Sequence, residues 1–376
     1  MSVKSDGTEA NDESDRNVAI SANGRFVVFA SRATNLVPND LNSVRDVFVH
    51  DLATGITELV SVATDGTQGN GASGDDAARS LGISDDGRFV VFRSLATNLT
   101  PDARSGAAYV RDRTAQTTEL VSLRPNGTVM DGIQPNVSGD GRFVAFAEGI
   151  RDRMLGTTLV PALDQNGKDA AATYVISRQG TMVAFSSNAY NLVDPNAPPP
   201  TPAGNRLNIF AMPIPTGAIE QMSKRPDPNG QLSVDPTYSI SDDGTIVLYK
   251  APGVDIAATP KNTPFYLFDR TTQTNTGIAA LYYATEAKIS GNGRYLFFST
   301  AQLDPNQALD VYAWDRQTGT TNLATRNMGG LPGGASNYFD VASNGDYVAF
   351  VSAYTSYVPN DTNGVKDVFV SRANCP

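Results

Sequence analysis

Two stretches of this chain carry oxygen-bearing side chains at a spacing that a hard cation could use. Asp40, Asn42 and Asp46, and again Asp361, Asn363 and Asp367, stand at i, i+2 and i+6 in a shared N-D-x-N-x-x-x-D pattern, with Gly364 permitting a sharp turn in the second. Carboxylate and amide oxygens so placed suit Ca²⁺. Asp304, Asn306 and Asp310 form a shortened version. No bidentate Glu follows at the distance that known calcium loops require. Asp and Asn ahead of a strand also form Asx turns by accepting loop N–H groups. The six residues are therefore candidate calcium ligands set against a turn-forming reading that their chemistry favours, and no other cofactor is indicated.

Other reactive groups are few. His50 is the only histidine and Cys375 the only cysteine, which excludes zinc sites of the usual His/Cys kind and Cys-His catalysis. No G-x-S-x-G elbow accompanies His50. The places equivalent to His50 in other repeats hold Arg111, Phe268, Trp314 and Ser371, so nothing marks that position as a base. Carboxylates are plentiful at Asp12, Glu13, Asp15, Asp75, Asp76, Asp131, Asp164, Asp169 and Asp235. A glycosidase needs two carboxyls about 5–10 Å apart, and sequence alone does not show which pair converges. Tyr190, Tyr282, Tyr283, Tyr338, Tyr354 and Tyr357 could stack on a sugar. No residue is assigned a catalytic role.

The elements that must position these groups are read from a repeat. Seven times a small residue leads through a polar turn and a Gly into a β-rich run: SANGRFVVF at Ser21, SDDGRFVVF at Ser84, SGDGRFVAF at Ser138, SRQGTMVAF at Ser177, SDDGTIVLY at Ser241, SGNGRYLFF at Ser290 and ASNGDYVAF at Ala342. From Gly24 to Gly345 the six steps cover 321 residues, about 54 per unit, the period of propeller blades and kelch-like arrays. The Asp-Gly and Asn-Gly dipeptides are those favoured where both central residues of a hairpin take positive φ. A third strand (DVFVHD at Asp46, DVYAWD at Asp310) and a fourth (through Thr54-Gly55 or Thr318-Gly319) complete each unit. Four antiparallel strands per unit and no sustained helical period give an all-β, seven-bladed propeller. The third unit is short, and RDRMLGTTLV from Arg151 must supply its third strand, turn and fourth strand.

The S-x-D-G-R-x-V-x-F turn, the D-V-F-V-x-D strand and the T-G-x-T-T-x-L-V-S hairpin resemble the bacterial TolB-like, WD-like propeller repeats. The resemblance spans essentially the whole chain and is loosest in blades three to five. It implies an envelope or extracellular setting. The extra helical domain of TolB has no counterpart here, and the repeat lends little weight to any one activity.

The chain ends after a third strand, and MSVKSDGTEAN at its start reads like the fourth-strand exit of blade one, VSVATDGTQGN from Val60. The 31 residues from Gly345 onward and the 24 up to Gly24 together span 55, one repeat length. Residues 1–376 are thus expected to form a single domain in which residues 1–8 complete the blade of residues 340–376, closing the ring and covering its last sheet edge.

A net charge of −10 argues against nucleic acid, which draws on clustered Lys and Arg. No run of 18 apolar residues occurs to span a membrane. Residues 1–17 form no signal peptide; with Met1 directly on a mature-looking strand, a removed leader and a periplasmic or extracellular location are expected. The turns joining strands one to two and three to four are tight and repetitive, whereas the loops at 65–79, 123–134, 164–171, 191–206, 227–235 and 328–337 differ in every blade. Variable loops on a rigid scaffold are where binding resides. The sequence therefore reads as a monomeric, non-catalytic binding or scaffold module presenting its long-loop face to a protein or envelope partner. The alternatives are a carbohydrate-active hydrolase or lyase using axial carboxylates, and a calcium-stabilised, lectin-like module.

Overall fold

In the repeated turn the small residue, the Asx and the Gly each have a separate job. Ser21 Oγ accepts the N–H of Phe26 at 3.0 Å and donates to Asn23 Oδ1 at 2.8 Å. Asn23 Oδ1 also accepts the N–H of Arg25, and Gly24 takes φ +75° while donating to Ser21 O. Ser84 with Asp86, Ser138 with Asp140 and Ser290 with Asn292 repeat this arrangement. Only the Gly adopts positive φ. The expected two-residue hairpin geometry is replaced by an Asx turn, because the Asx oxygen already holds the following N–H and keeps its own backbone right-handed.

The computed structural model describes residues 2–74, 80–161, 171–189, 192–194, 207–223, 238–251, 265–281, 283–304, 307–334, 338–359 and 361–373. Their strands form seven antiparallel sheets. Blade one runs Ser14–Ile20, Phe26–Ser31, Asp46–Asp51, Ile56–Leu59, with each strand paired to the next. Five more sheets follow the same order, including short blade three, where Gly149–Asp152 and Thr157–Leu159 serve as third and fourth strands. First strands contact one another in sequence around the molecule, and Phe339–Val341 of blade seven meets Ser14–Ile20 of blade one, so the sheets close into a ring. No helix among the described residues is long and apolar enough to cross a membrane.

The seventh sheet holds three strands, Phe339–Val341, Tyr347–Ser352 and Asp367–Arg372. The N-terminal segment meets it through side chains. Ser2 Oγ donates to Asp367 at 2.6 Å and accepts the N–H of Val368, just as Ser61 serves Asp46 and Val47 in blade one. Thr57 of blade one then donates to Val3 O and, through its N–H, to Ser5 Oγ.

Apolar layers lie between blades. One unites Val28, Val47 and Val49 of blade one with Ile83, Val90 and Phe92 of blade two. Another carries Val27 and Phe29 against Ala349, Val351 and Val368 of blade seven. Leu296 and Phe298 are buried in the same way between blades five and six. On the tight-turn face, charge seals the junctions. Arg25, Arg88, Arg142 and Arg294 grip the Asp closing strand three of their own blade, Asp51, Asp112, Asp152 and Asp315. The Arg after that Asp reaches back one blade: Arg113 to Glu58 and Arg153 to Glu119. Phe26 is sandwiched between Arg25 and Arg113, and Phe89 between Arg88 and Arg153. Such stacks contribute about 0.5–2 kcal/mol each.

Candidate functional site

The first strands enclose an axial cavity of about 200 Å³. Each first strand starts at the long-loop face and ends at the repeated turn, so residues just after the repeat's Ser ring the far end. There Asp85 N–H donates to Gly139 O, Gly139 N–H to Arg178 O, Asp242 N–H to Gly291 O and Ser343 N–H to Ala22 O. A Cβ on Gly139 would lie 2.2 Å from an Asp85 oxygen, and one on Gly291 2.1 Å from an Asp242 oxygen, so a side chain at either would displace the carboxylate. Across this ring lies Arg178, 2.6 Å from Asp85 and 4.0 Å from Asp242, and donating to Ile20 O at 2.9 Å. One side chain thus ties blades one, two, four and five and closes the channel at the tight-turn end.

Higher up, the polar groups are spent on the neighbouring blade. Lys288 pairs with Asp340 at 2.9 Å, and Asp340 accepts the N–H of Ile20. Asn136 donates to Tyr174 O and accepts the N–H of Ile176. Thr173 donates to Gln134. Burial raises the carboxyl of Asp242, while Ser343 and Arg178 pull it back. The channel carboxylates are Asp242, Glu286 and Asp340, none of which the sequence singled out. Their signal was positional: they sit one after, four before and two before the repeat's small residue. Glu286 is engaged too.

Of the acids singled out from sequence, Asp75, Asp76, Asp164, Asp169 and Asp235 lie outside the described residues, as do Tyr190, Tyr282, Asn306 and Cys375. Asp15 forms a buried pair with Arg45 at 2.6 Å, Asp131 meets Arg93, Glu13 stands 3.7 Å from Lys366, and Asp12 accepts the N–H of Glu13. None of these four lines the channel. Tyr357 is buried, and Tyr338 lies under Arg16. His50 is buried on strand three of blade one. Thr57 gives its hydroxyl proton to Val3 O, so His50 Nδ1 must donate to Thr57 at 2.9 Å. Burial lowers its pKa to about 4.

The structure gathers both candidate calcium sets, in two different ways. In blade one Gln68 Nε2 donates to Asp40 at 2.7 Å and to Asp46 at 2.9 Å. Asn42 donates to Asp46 and to Gly69 O, and accepts the N–H of Val44. Burial raises Asp46 to about 6. In blade seven Asn363 likewise donates to Asp367 and Ala10 O and accepts the N–H of Val365. Gln68 pairs with Val62 and Glu9 with Val3 in matching bridges, so Glu9 replaces the bridging amide. It accepts both the N–H and the hydroxyl of Thr362. Asp361 Oδ1 is buried without a partner, and burial with nearby Asp367 and Glu9 raises the Asp361 carboxyl. Among the described residues no three Asp, Glu, His or Cys side chains are placed to hold one metal ion.

Apolar exposure separates the faces. Of thirteen exposed large hydrophobic side chains among the described residues, ten lie on the long-loop face, including Leu41, Leu303, Met328, Leu331 and Tyr354. Ile56, Met154 and Leu155 are the three on tight turns.

No family model matches the chain, and no curated protein matches it. Solved structures do. An oligogalacturonate lyase of Vibrio parahaemolyticus is 12% identical, with 97% of this chain and 92% of that one covered at a TM-score of 0.61. An oligogalacturonate lyase in complex with manganese is also 12% identical, covering 97% and 92% at 0.60. The β-propeller domain of the Trilobed protease from Pyrococcus furiosus, described as having an open velcro topology, matches at 12% identity over 97% and 94%, with a TM-score of 0.58. A protein assigned as TolB from Agrobacterium tumefaciens is 14% identical over 84% and 86% at 0.39. These likenesses establish the propeller fold and leave the activity open.

Proposed function

We propose that the chain is a non-catalytic binding or scaffold module of the bacterial envelope or exterior, with its long-loop face turned to a protein or envelope partner. The supporting observation is the concentration of exposed apolar side chains on that face, since exposed apolar surface on a folded domain marks interaction sites. The tight-turn face commits its arginines to pairs within a blade or between neighbours, and Arg178 lies across the end of the channel there. A photo-reactive residue at Leu41 or Leu303 is expected to cross-link an envelope protein in the host cell, whereas one at Met154 is not. Adducts from Met154 alone would overturn the reading.

The carbohydrate-active alternative has two lyases among the fold likenesses behind it. Against it, two of the channel carboxylates are engaged, Asp340 by Lys288 and the Ile20 N–H and Asp242 by Arg178 and Ser343. Incubation with oligogalacturonate and Mn²⁺ is expected to leave the oligomer intact. Its cleavage by the purified chain would reverse the order of the two readings.

A further inference from the structure

We infer that the junction of blades six and seven on the long-loop face is a docking surface for a basic polypeptide segment carrying an apolar anchor. The inference rests on the binding-module reading and narrows it to one patch and one partner chemistry.

The repeat supplies an internal comparison. After the fourth strand, four blades leave through the same turn, closed by the bridges Val3 to Glu9, Val62 to Gln68, Leu123 to Val129 and Arg326 to Pro332. All four turns carry a glycine at positive φ, Gly7, Gly66, Gly127 and Gly330, donating to the residue three before it. On this common backbone the third position is Ser5, Thr64 or Pro125, and the sixth is Thr8, Thr67 or Thr128. Blade six instead places Met328 and Leu331 there, 61% and 64% exposed.

The partner loop changes with it. At two junctions an Asn on the exit segment clamps the loop between strands two and three: Asn11 exchanges hydrogen bonds with Thr34 and Asn35, and Asn70 with Thr97 and Asn98. In those loops the residue whose N–H meets the strand-end Ser is Ala33 or Ala96, both buried. At the six–seven junction Gly334 stands in place of the Asn and Tyr354 in place of the Ala. A Cβ on Gly334 would lie 2.5 Å from the Tyr354 ring, so the ring covers the glycine and remains 53% exposed. Met328 N–H donates to Ser356 O at 3.1 Å, drawing the two segments together. Four positions have thus turned from polar or small and buried to an apolar platform, on a backbone that elsewhere does without one. Fold maintenance does not account for the change.

Charge selects the occupant. The loop at 354–367 and the N-terminal segment packed on it carry Asp6, Glu9, Asp12, Glu13 and half-buried Asp361 against Lys4 and Lys366, which already stand against two of those acids, Asp6 and Glu13. A second copy of this −10 chain would bring like charge to the same rim, which opposes self-association. A segment with Lys or Arg flanking a large apolar side chain satisfies both the rim and the platform.

The test is to pan a phage-displayed library of random peptides on the full chain and then measure binding of the enriched synthetic peptides by fluorescence anisotropy. Enriched peptides are expected to be basic with an aromatic or aliphatic anchor, to weaken with salt, and to lose about tenfold or more in affinity on Leu331→Asp or Met328→Asp. Both positions are exposed, and an unchanged melting temperature would confirm folding. Acidic or uncharged enriched peptides would overturn the partner chemistry. Binding lost on Leu41→Asp but not on Leu331→Asp would overturn this patch while leaving the long-loop face in use. Binding lost only on Met154→Asp, or no enrichment, would overturn both. Concentration-dependent dimerisation abolished by Leu331→Asp would make the occupant a second copy and overturn the partner.

Discussion

Replacing Arg178 by Ala removes the group that closes the axial channel. Three interactions go with it: the pair with half-exposed Asp85, the charge-assisted bond to Ile20 O, and the field on Asp242 at 4.0 Å. The first is screened and contributes about 0.5–1 kcal/mol. The second, from a cation to a carbonyl across two blades, contributes about 1.5 kcal/mol, and the third about 0.5–1 kcal/mol, for a total of about 3 kcal/mol. At about 2.1 cal/mol/K per residue, 376 residues give an unfolding entropy near 0.8 kcal/mol/K, so the melting temperature is expected to fall by about 4 °C. The loss should also depend on pH. Burial raises the Asp242 carboxyl and Arg178 holds it down, so without Arg178 it rises further. A carboxyl raised in the fold loses stability as pH climbs through its folded value. The deficit of Arg178→Ala should therefore be larger at about pH 8 than at about pH 4.5. Scanning calorimetry at both values, with an Arg178→Ala/Asp85→Asn cycle, measures this. An unchanged melting temperature, or strictly additive single effects, would refute the assignment of Arg178 as the channel's keystone.

Deleting residues 1–8 removes the Ser2, Val3 and Ser5 contacts to Asp367, Val368 and Thr57. At about 1 kcal/mol per bond the melting temperature should drop by about 5 °C, and no change would refute closure by the N-terminal segment. Millimolar Ca²⁺ is expected to leave the melting temperature of metal-stripped protein unchanged, because Asn42 and Asn363 turn N–H groups toward Asp46 and Asp367. A clear rise would make the six loop residues a cation site. Glu9→Gln copies the blade-one bridge and should raise the melting temperature by about 1–2 °C, a gain of about 1 kcal/mol; a fall would show that the carboxylate is needed. His50, held neutral with a pKa of about 4, contributes stability that is complete above its unfolded value and is lost as pH falls through about 6.5 toward 4. His50→Gln should flatten the melting temperature over that window, and an unchanged profile would exclude His50 as its source.

The seven blades were legible because the repeat's residues act locally: Ser21 Oγ, Asn23 Oδ1 and Gly24 build one turn from six consecutive positions, and seven related copies state it redundantly. The same locality misled the turn geometry, since Asn-Gly names a favoured hairpin without revealing that the Asx oxygen is already in use. Channel chemistry was not legible. Arg178 meets Asp85 and Ile20 across 93 and 158 residues, and only ring closure sets that proximity. Acids such as Asp15 looked available because nothing local announces Arg45, 30 residues on. Gln68 and Glu9 show the same limit: their difference matters only once both loops are seen to bring two carboxylates beside that position.

Repetition also shows where constraint ends. Four blades repeat the Arg to Asp grip almost atom for atom, and there a departure weakens a junction. At the ring's seam Leu52 follows Asp51 where Arg113 and Arg153 follow their own Asp residues, and it packs against the apolar layer shared by blades one and seven. Blade seven is therefore held to blade one by apolar contact, the Ser2 network and the bonds of Asp340, Ser343 and Asn363, without the arginine latch. A partner spanning the Met328–Tyr354 platform and the Glu9–Asp361 rim would touch blade six, blade seven and the N-terminal segment at once. Binding there must stabilise the state it prefers, and junctions without the arginine latch, six–seven with Ala373 in its place and seven–one with Leu52, stand to gain. With a peptide from the panning experiment bound, amides of Ala10, Ser14 and Val368 are expected to exchange more slowly, while those of blade three keep their rates. Equal protection of both regions would mean that the gain is global and that the seam has no special part in recognition.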